Sequence, residues 1–449
     1  MFKTLTQAIA KQMDPRGDLV PVQSILDHEH FRPLCLVIRK NKTIFHPSPS
    51  YKRTWYKLDD VLLHGDNNRS TVSLLPNDGD QNLRQFTFNE SSTDRVDGSL
   101  SIRIDSTSAQ LTGAASCSKV LSIKLEKKDI SVAKLEALRA ERKINRNHSF
   151  IQQLNRTRQN LYVVHETIEA SEETHYEEST EGKGSFMAQL YVKFFAKGTR
   201  ENKQSITIPK GCTLAFRAIR LSREDDSWGF NYFPDDKILL LASDGSFQEK
   251  LEGVEKEVKD NCQILSHLSS NLLLVFLKAI KAVMRDRNLF QELTQKMEAI
   301  LDETSSCELK TESPDLKDLL SSLENSPRHL LLQLAGAITY TLDALDELKE
   351  DQLLLLLESL EEGIVSRQLK LVENILAHDI KCKKSPFRVD ASLLSFAREK
   401  EQKLTVTMVA MSGVKLQADG FTVCAEEAFS SMAALYASLY VLNVLTNSD

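Results

Sequence analysis

No two cysteines in this chain stand at CxxC spacing, and the seven present (Cys35, Cys117, Cys212, Cys262, Cys307, Cys382 and Cys424) are odd in number and widely scattered. Reduced thiols are therefore expected, rather than a disulfide framework or a zinc site. No stretch reaches the roughly 18 uninterrupted apolar residues of a spanning helix. The richest runs, Leu272 to Leu277, Leu353 to Leu357 and Met432 to Leu442, are short and bordered by charged or polar residues. If the chain crosses a membrane, closed β-strands remain, because only a barrel otherwise satisfies every backbone polar group in lipid. Lys3 and Lys11 interrupt the apolar positions of the first residues, so no secretory signal is expected and the chain reads as cytoplasmic.

Catalytic signatures are missing too. There is no G-x-S-x-G, P-loop or GxGxxG, and His165-Glu166 lacks the second histidine of a zincin. Asp27-His28-Glu29-His30 could ligate a metal, but two histidines at i, i+2 in a polar loop are far more often a solvated cluster. No helix-turn-helix, zinc finger or RNP-type aromatic strand occurs, which argues against a nucleic-acid partner. The expectation is a protein that is not an enzyme and that carries no cofactor or metal.

What the chain does have is a division of charge. Its first 244 residues hold 35 of the 57 lysines and arginines and 31 of the 63 carboxylates, a net of +4, which leaves 22 against 32, or −10, for the rest. A basic half and an acidic half suggest two domains that hold each other, one of which would seek an anionic surface when released. The hydrophobic period changes at the same place. Between about 84 and 221 apolar residues alternate, as in Leu100, Ile102 and Ile104 or Leu121, Ile123 and Leu125. The longest such run puts Phe186, Ala188, Leu190, Val192 and Phe194 on one face, and its length approaches the ~9 to 11 residues of a tilted transmembrane strand. An antiparallel sheet with one wet face gives the same alternation. From about Phe247 the period is helical, with Leu251, Val254 and Val258 in heptad-like positions and long apolar stretches that should form interior helices. The fold expected is α+β: an N-terminal twisted antiparallel sheet domain with helices over 1–222, a linker over 223–246, and an all-α bundle over 247–449.

Local patterns refine this. Residues 2 to 13 read as an amphipathic helix with Phe2, Leu5, Ile9 and Met13 in one stripe. Leu34 to Arg39 is a short strand entering a Pro-containing turn, which sets Ile44 and Phe45 among Arg39, Lys40, Lys42, Lys52 and Arg53. An apolar tip ringed by cations has the composition of a membrane-surface anchor; a buried hairpin tip is the equal alternative. From Cys117 to Asn160 a helical patch carries 11 basic residues against four acidic ones. Ser171 to Gly182 has five glutamates and reads as a solvated loop.

Several stretches together resemble the gasdermin family: PRGDL at 15–19, CLVIRK at 35–40, NLYVV at 160–164, TIPKGCTLAFR at 207–217, GAITYTLDALDEL at 336–348, QLKLVE at 368–373 and ALYASL at 434–439. The resemblance spans both halves. It implies a lipid-binding, pore-forming domain, a protease-sensitive linker and an inhibitory helical domain. It further implies that cleavage frees the first domain to bind anionic inner-leaflet lipids (phosphoinositides, phosphatidylserine, cardiolipin) at the plasma membrane. That domain would then form a homo-oligomer whose barrel hairpins come from about 80–125 and 161–220, opening a lytic pore. A non-lytic lipid-binding scaffold of the same fold is the alternative. The lipid-facing residues it implies are Lys3, Lys11, Arg39, Lys40, Lys42, Ile44, Phe45, Lys52, Arg53, Arg139, Arg142, Lys143 and Arg146. Tyr340 and Ala344, one helical turn apart, match positions that line the inhibitory pocket; ordinary bundle core is the other reading. Leu241-Ala242-Ser243-Asp244-Gly245 looks like an inflammatory-caspase substrate cut after Asp244, with caspase-1 the expected protease. Asp235 is the weaker alternative because Asp236 follows it.

Overall fold

The structure, a computed structural model, describes residues 2–15, 17–40, 43–45, 49–63, 84–95, 116–157, 159–180, 185–194, 203–223, 228–231, 247–301, 309–378, 387–417, 420–425 and 428–446. The chain divides into two units.

The first unit is built on one antiparallel sheet. Its strands are β1 (Val20–Pro21), β2 (Cys35–Arg39), β3 (Tyr51–Lys57), β4 (Arg84–Arg95), β5 (Ser116–Asp129), β6 (Leu161–Ala170), β7 (Thr174–Thr180), β8 (Lys203–Ile208), β9 (Thr213–Arg223) and β10 (Trp228–Asn231). The main order is β1-β9-β6-β5-β7-β8, with β10 on β9, β2 on β6, β3 outside β2, and β4 along β5 from Ser116 to Lys127. Helices α1 (Phe2–Met13), α2 (Leu58–Val61), α3 (Val132–Glu141) and α4 (Ser149–Thr157) and a 3-10 turn at Ile25–Phe31 complete it.

Strand β6, LYVVHETIEA, is buried at every position but His165, as a strand covered on both faces must be. Its alternation feeds two cores. Tyr162, Val164, Ile168 and Ala170 pack with Phe2, Leu5 and Ile9 of α1 and Phe31 of the 3-10 turn. Leu161 and Val163 pack with Leu135 and Leu138 of α3, Ile151 and Leu154 of α4, and Trp228 of β10. Helix α1 thus covers one face of the sheet, and α2, α3 and α4 the other. The end of α1 is tied down by polar groups: the Leu19 N–H donates to Asp14 Oδ2 at 3.0 Å, and Arg217 of β9 bridges Asp14 at 2.6 Å and Glu166 of β6 at 2.5 Å.

The second unit contains α5 (Ser185–Phe194), α6 (Phe247–Cys262), α7 (Ser270–Arg285), α8 (Arg287–Leu301), α9 (Pro314–Glu324), α10 (Arg328–Glu347), α11 (Glu350–Glu361), α12 (Val365–Leu376), α13 (Ala391–Leu394), α14 (Glu399–Met411) and α15 (Ala428–Thr446). Buried side-chain amides register three of these helices: Gln352 donates to Ser412 Oγ at 2.8 Å, and Gln368 to Ser359 Oγ at 2.9 Å and Thr405 Oγ1 at 3.0 Å. Leu353 to Leu357 are all buried, as an apolar interior run requires. Helix α15 is long and apolar enough to cross a bilayer by length and composition, which the limit placed on uninterrupted runs passed over; 67% of its apolar window is buried inside the structure. Three short strands, β11 (Phe387–Arg388), β12 (Val414–Leu416) and β13 (Phe421–Cys424), add a small antiparallel sheet that an all-helical reading did not anticipate.

Four local expectations are corrected. The run from Phe186 to Phe194 is a helix, α5, and not a strand. Phe186, Leu190 and Phe194 also stand four apart, so a run apolar at nearly every position satisfies both periods, and packing against α11 decides. The Glu-rich stretch is strand β7 from Thr174, not a loop, paired with β8 from Thr174↔Ile208 to Ser179↔Lys203. Trp228 and Phe230, placed in a linker by their Gly and Asp neighbours, alternate inward as β10, paired with β9 through Trp228↔Arg223. The basic stretch from Cys117 begins as strand β5 and turns helical only at Val132. The proposed strand at Leu100 to Ile104 lies outside the described residues.

Both tryptophans of the chain, Trp55 and Trp228, belong to the first unit, so their emission reports its unfolding alone. Ile9→Ala opens a cavity beneath α1 and should destabilise this unit by about 2–5 kcal/mol. With a urea slope of about 1–3 kcal/mol/M, the tryptophan-monitored midpoint falls by about 1 M or more. An unshifted midpoint would show that α1 does not contribute to the core.

Candidate functional site

Helix α5 is the feature that joins the two halves of the sequence. It is bracketed by β7 and β8 of the sheet unit, yet it packs within the helical unit. Its anchor is a carboxylate with no solvent exposure: Glu358 of α11 is 0% exposed. Lys193 Nζ of α5 reaches Glu358 Oε2 at 2.5 Å and also pairs with Glu361. Lys400 of α14 takes the other Glu358 oxygen and reaches Glu362 at 2.6 Å, while Arg398 meets Glu362 at 2.5 Å and Glu401 at 2.6 Å. A buried charge left without partners is strongly destabilising, and here two lysines compensate the one carboxylate.

Burial works against the charge of Lys193, but its hydrogen bonds to Glu358 and Glu361 outweigh that and raise its pKa. Hydrogen bonds to Glu358 and Glu362 raise Lys400 likewise, and the bond from Lys400 lowers Glu362. Aromatic contacts flank this cluster: Lys403 lies over Phe186 at 4.8 Å and Arg285 over Phe194 at 5.4 Å. Leu190 is buried between those two rings in sequence.

The residues expected to face lipid separate into groups. Arg39, Lys40, Lys52 and Arg53 come together at one end of the β2–β3 hairpin, where Arg39 pairs with Tyr51 and Ile38 with Lys52. All four are half-buried. Phe45 is only 1% exposed and Ile44 is half-buried, so the apolar tip is not presented to solvent; Lys42 lies outside the described residues. Lys3 and Lys11 ride on α1 over one face of the sheet. Exposed Arg139, Lys143 and Arg146 belong to the opposite face, around α3. Arg142 departs from the expectation. It caps α3 and is buried, paired with Asp59 and donating from Nε to the Leu63 carbonyl at 3.0 Å, while its own carbonyl accepts from Trp228 Nε1 at 2.8 Å. In this state it ties the second core together instead of meeting a surface.

Tyr340 and Ala344 both point into the helical unit from α10, and the Tyr340 hydroxyl donates to Glu257 of α6 at 3.2 Å. Burial, with Glu257 close by, pushes the phenol far above its ordinary value. Asp235 and Asp244 lie outside the described residues. In the Asp27-His28-Glu29-His30 cluster both carboxylates are engaged, Asp27 with Arg53 and Glu29 with Arg32 at 3.4 Å, and burial lowers both histidines. Sequence reasoning passed over Trp55, which β3 holds outward, and it missed the Lys193–Glu358 contact. Lys193 stands between apolar residues at a spacing that only the helix assignment converts into a single outward position.

Comparison with known proteins places these features. A family model described as the gasdermin pore forming domain matches residues 1–238, and one described as the gasdermin PUB domain matches 250–423. Mouse gasdermin-A2 is 32% identical over 466 residues, covering 100% of both chains. Human gasdermin-A is 30% identical over 470 residues with the same coverage, and human gasdermin-D is 26% identical, over 99% of this chain and 98% of its own. The cryo-EM structure of the gasdermin A3 membrane pore aligns at TM-score 0.35 and 27% identity, over 53% of this chain and 96% of that one.

Lys193→Met leaves Glu358 with Lys400 alone. Because Lys193 is itself 42% exposed, screening limits the effect to about 1 kcal/mol. The amides of α5 should then exchange several-fold to tenfold faster by hydrogen exchange, while those of α15 are unchanged. The raised lysines contribute below their ordinary 10.5 and lose that contribution as pH rises through the folded value; lowered Glu362 contributes above 4.5 and loses it as pH falls. Protection of α5 should therefore be flat from about pH 5 to 10 and decline outside that window. A decline centred near neutral pH would contradict this account.

Proposed function

The chain belongs to the gasdermin family, and from that premise we propose that it is an autoinhibited pore former whose sheet unit is released by cleavage in the stretch 223–246. The observation that carries this reading is α5. A segment whose sequence alternates like a strand is held as a helix, inside the unit to which its neighbours β7 and β8 do not belong. Such a segment has a second use for the same residues. Once the helical unit departs, Lys193 loses Glu358 and Glu361, Phe186 and Phe194 lose their cations, and the apolar run is free to continue β7 and β8 as one long hairpin.

Strand lengths are compatible with that outcome. A tilted membrane-crossing strand needs about 9–11 residues, and β4, β5, β6 and β9 hold 12, 14, 10 and 11. While the peptide bond is intact, the tether keeps the two units at a high mutual effective concentration; cutting it lets them dilute apart. The freed basic unit would gather at the inner leaflet of the plasma membrane, at about 1 kcal/mol per basic side chain near an anionic surface. Lys3, Lys11, Arg39, Lys40, Lys42, Lys52, Arg53, Arg139, Lys143 and Arg146 would supply the charge, and Ile44 and Phe45 an apolar tip. Arg142 is left out because its present partners are structural. The unit then assembles with copies of itself into a barrel, and the cell lyses.

Five glutamates between Ser171 and Gly182 bear on how the hairpins enter. A lone charge at the bilayer centre costs about 2.5–3.5 kcal/mol or more. The glutamate-bearing strand should pass through a water-filled opening formed by the oligomer, not singly through hydrocarbon.

The test is dye release from phosphatidylserine or phosphoinositide vesicles. Protein cut after Asp244 by caspase-1 should release dye, the intact chain should not, and Asp244→Ala should resist cutting and stay silent. Equal release by intact and cut protein would overturn autoinhibition, and unchanged cutting of Asp244→Ala would move the site, with Asp235 next in line. Vesicle binding without release would favour the lipid-binding scaffold.

A further inference from the structure

Among the described residues, strand β3 is an edge of the sheet, paired only with β2. On it Trp55 is 72% exposed, and Leu26, in the 3-10 turn beside it, is 75% exposed. Single exposed apolar residues are common on protein surfaces; an indole held between a guanidinium and an imidazole is not. The Arg53 guanidinium lies over the Trp55 ring at 4.8 Å from its centroid, and the His30 ring meets it edge-on at 4.7 Å and 83°. Arg53 is fixed in turn by Asp27 of the 3-10 turn, whose Ser24 hydroxyl caps its start by accepting from the Leu26 N–H. The ring is therefore held in one orientation before anything binds, which removes much of the ordering entropy of an encounter.

The surroundings identify the occupant. Strand β3 carries Lys52, Arg53 and Lys57, and the 3-10 turn carries Asp27 and Glu29. Three cations against two carboxylates leave the patch with a net charge of +1 with both histidines neutral. The 3-10 turn packs through Phe31 into the same core as Phe2, Leu5 and Ile9, so this patch shares a face of the sheet with Lys3 and Lys11 of α1. An indole with an apolar body and a wet N–H prefers the boundary between lipid tails and headgroups, and the cation on its ring is positioned for phosphate. None of this belongs to the apolar tip at Ile44 and Phe45, which is turned away from solvent.

We propose that Trp55, oriented by Arg53 and His30 and accompanied by Leu26, is a second membrane anchor of the sheet unit, inserting at the headgroup level of anionic phospholipid. The proposal rests on the lipid-binding reading above and adds to it a site distinct from the hairpin tip.

The experiment uses the full-length chain, uncut and cut in the 223–246 stretch, with phosphatidylcholine vesicles containing or lacking phosphatidylserine, some with brominated tails. Because Trp228 is buried, quenching of the cut protein by brominated lipid that Trp55→Phe abolishes reports Trp55. It should appear with phosphatidylserine present and vanish in Trp55→Phe. Trp55→Ser should weaken vesicle binding by about tenfold, while Trp55→Phe keeps most of it, as expected for an aromatic interfacial contact. An unshifted urea midpoint by circular dichroism verifies that both variants are folded. If cut wild type and cut Trp55→Ser bind and release dye alike, with no quenching, the anchor is refuted and the pore reading stands. If neither binds under any condition, the lipid-binding reading fails and the anchor with it. If Trp55→Ser binds lipid normally but no longer cross-links into oligomers, Trp55 faces a second copy of the chain and the proposal is wrong.

Discussion

Glu358 is a carboxylate without access to water, and the arrangement of α5, α11 and α14 follows from the need to compensate it. Lys400 would suffice for charge balance. Lys193 adds a second cation from a segment that stands in sequence between two strands of the sheet. Desolvation offsets much of the Coulomb gain of such a pair, so its net contribution to stability is modest.

The helical state of α5 matters because the segment is ambiguous. Phe186, Leu190 and Phe194 stand on one side of a strand and on one side of a helix alike, and the alternation that suits a sheet is not destroyed by coiling. A sequence with two compatible periods is decided by whichever partner surface is present. Here the surface is α11, with cations from α7 and α14 over the two phenylalanines. Removing that surface would remove the reason for the helix, and the proposed release depends on this.

The cations are arranged with less unity than their sequence clustering suggests. The sheet separates Lys3 and Lys11 from Arg139, Lys143 and Arg146, and Arg142 is withdrawn altogether into contacts with Asp59 and the Leu62 and Leu63 carbonyls. Only the hairpin group is gathered at one place. Adjacent basic residues near a helix end differ in fate because a cap position turns one side chain inward to satisfy orphan carbonyls, while its neighbours remain in water.

The division into a sheet unit and a helical unit, the first helix and its buried stripe, strand β5 and the interior helices were legible because each depends on a period or a charge balance that local sequence carries. Trp228 and the glutamates of β7 were misjudged for the complementary reason: Gly, Asp and Glu neighbours signal a turn or loop, whereas pairing makes strands of them, β10 antiparallel to its sequence neighbour β9 and β7 to β8 beyond α5. Composition and spacing determined what each segment is able to be. Tertiary structure alone decided which of two allowed states α5 adopts, that Arg142 is interior, and that Trp55 faces outward, since each of these depends on a surface brought up from elsewhere in the chain, and no local pattern encodes that surface.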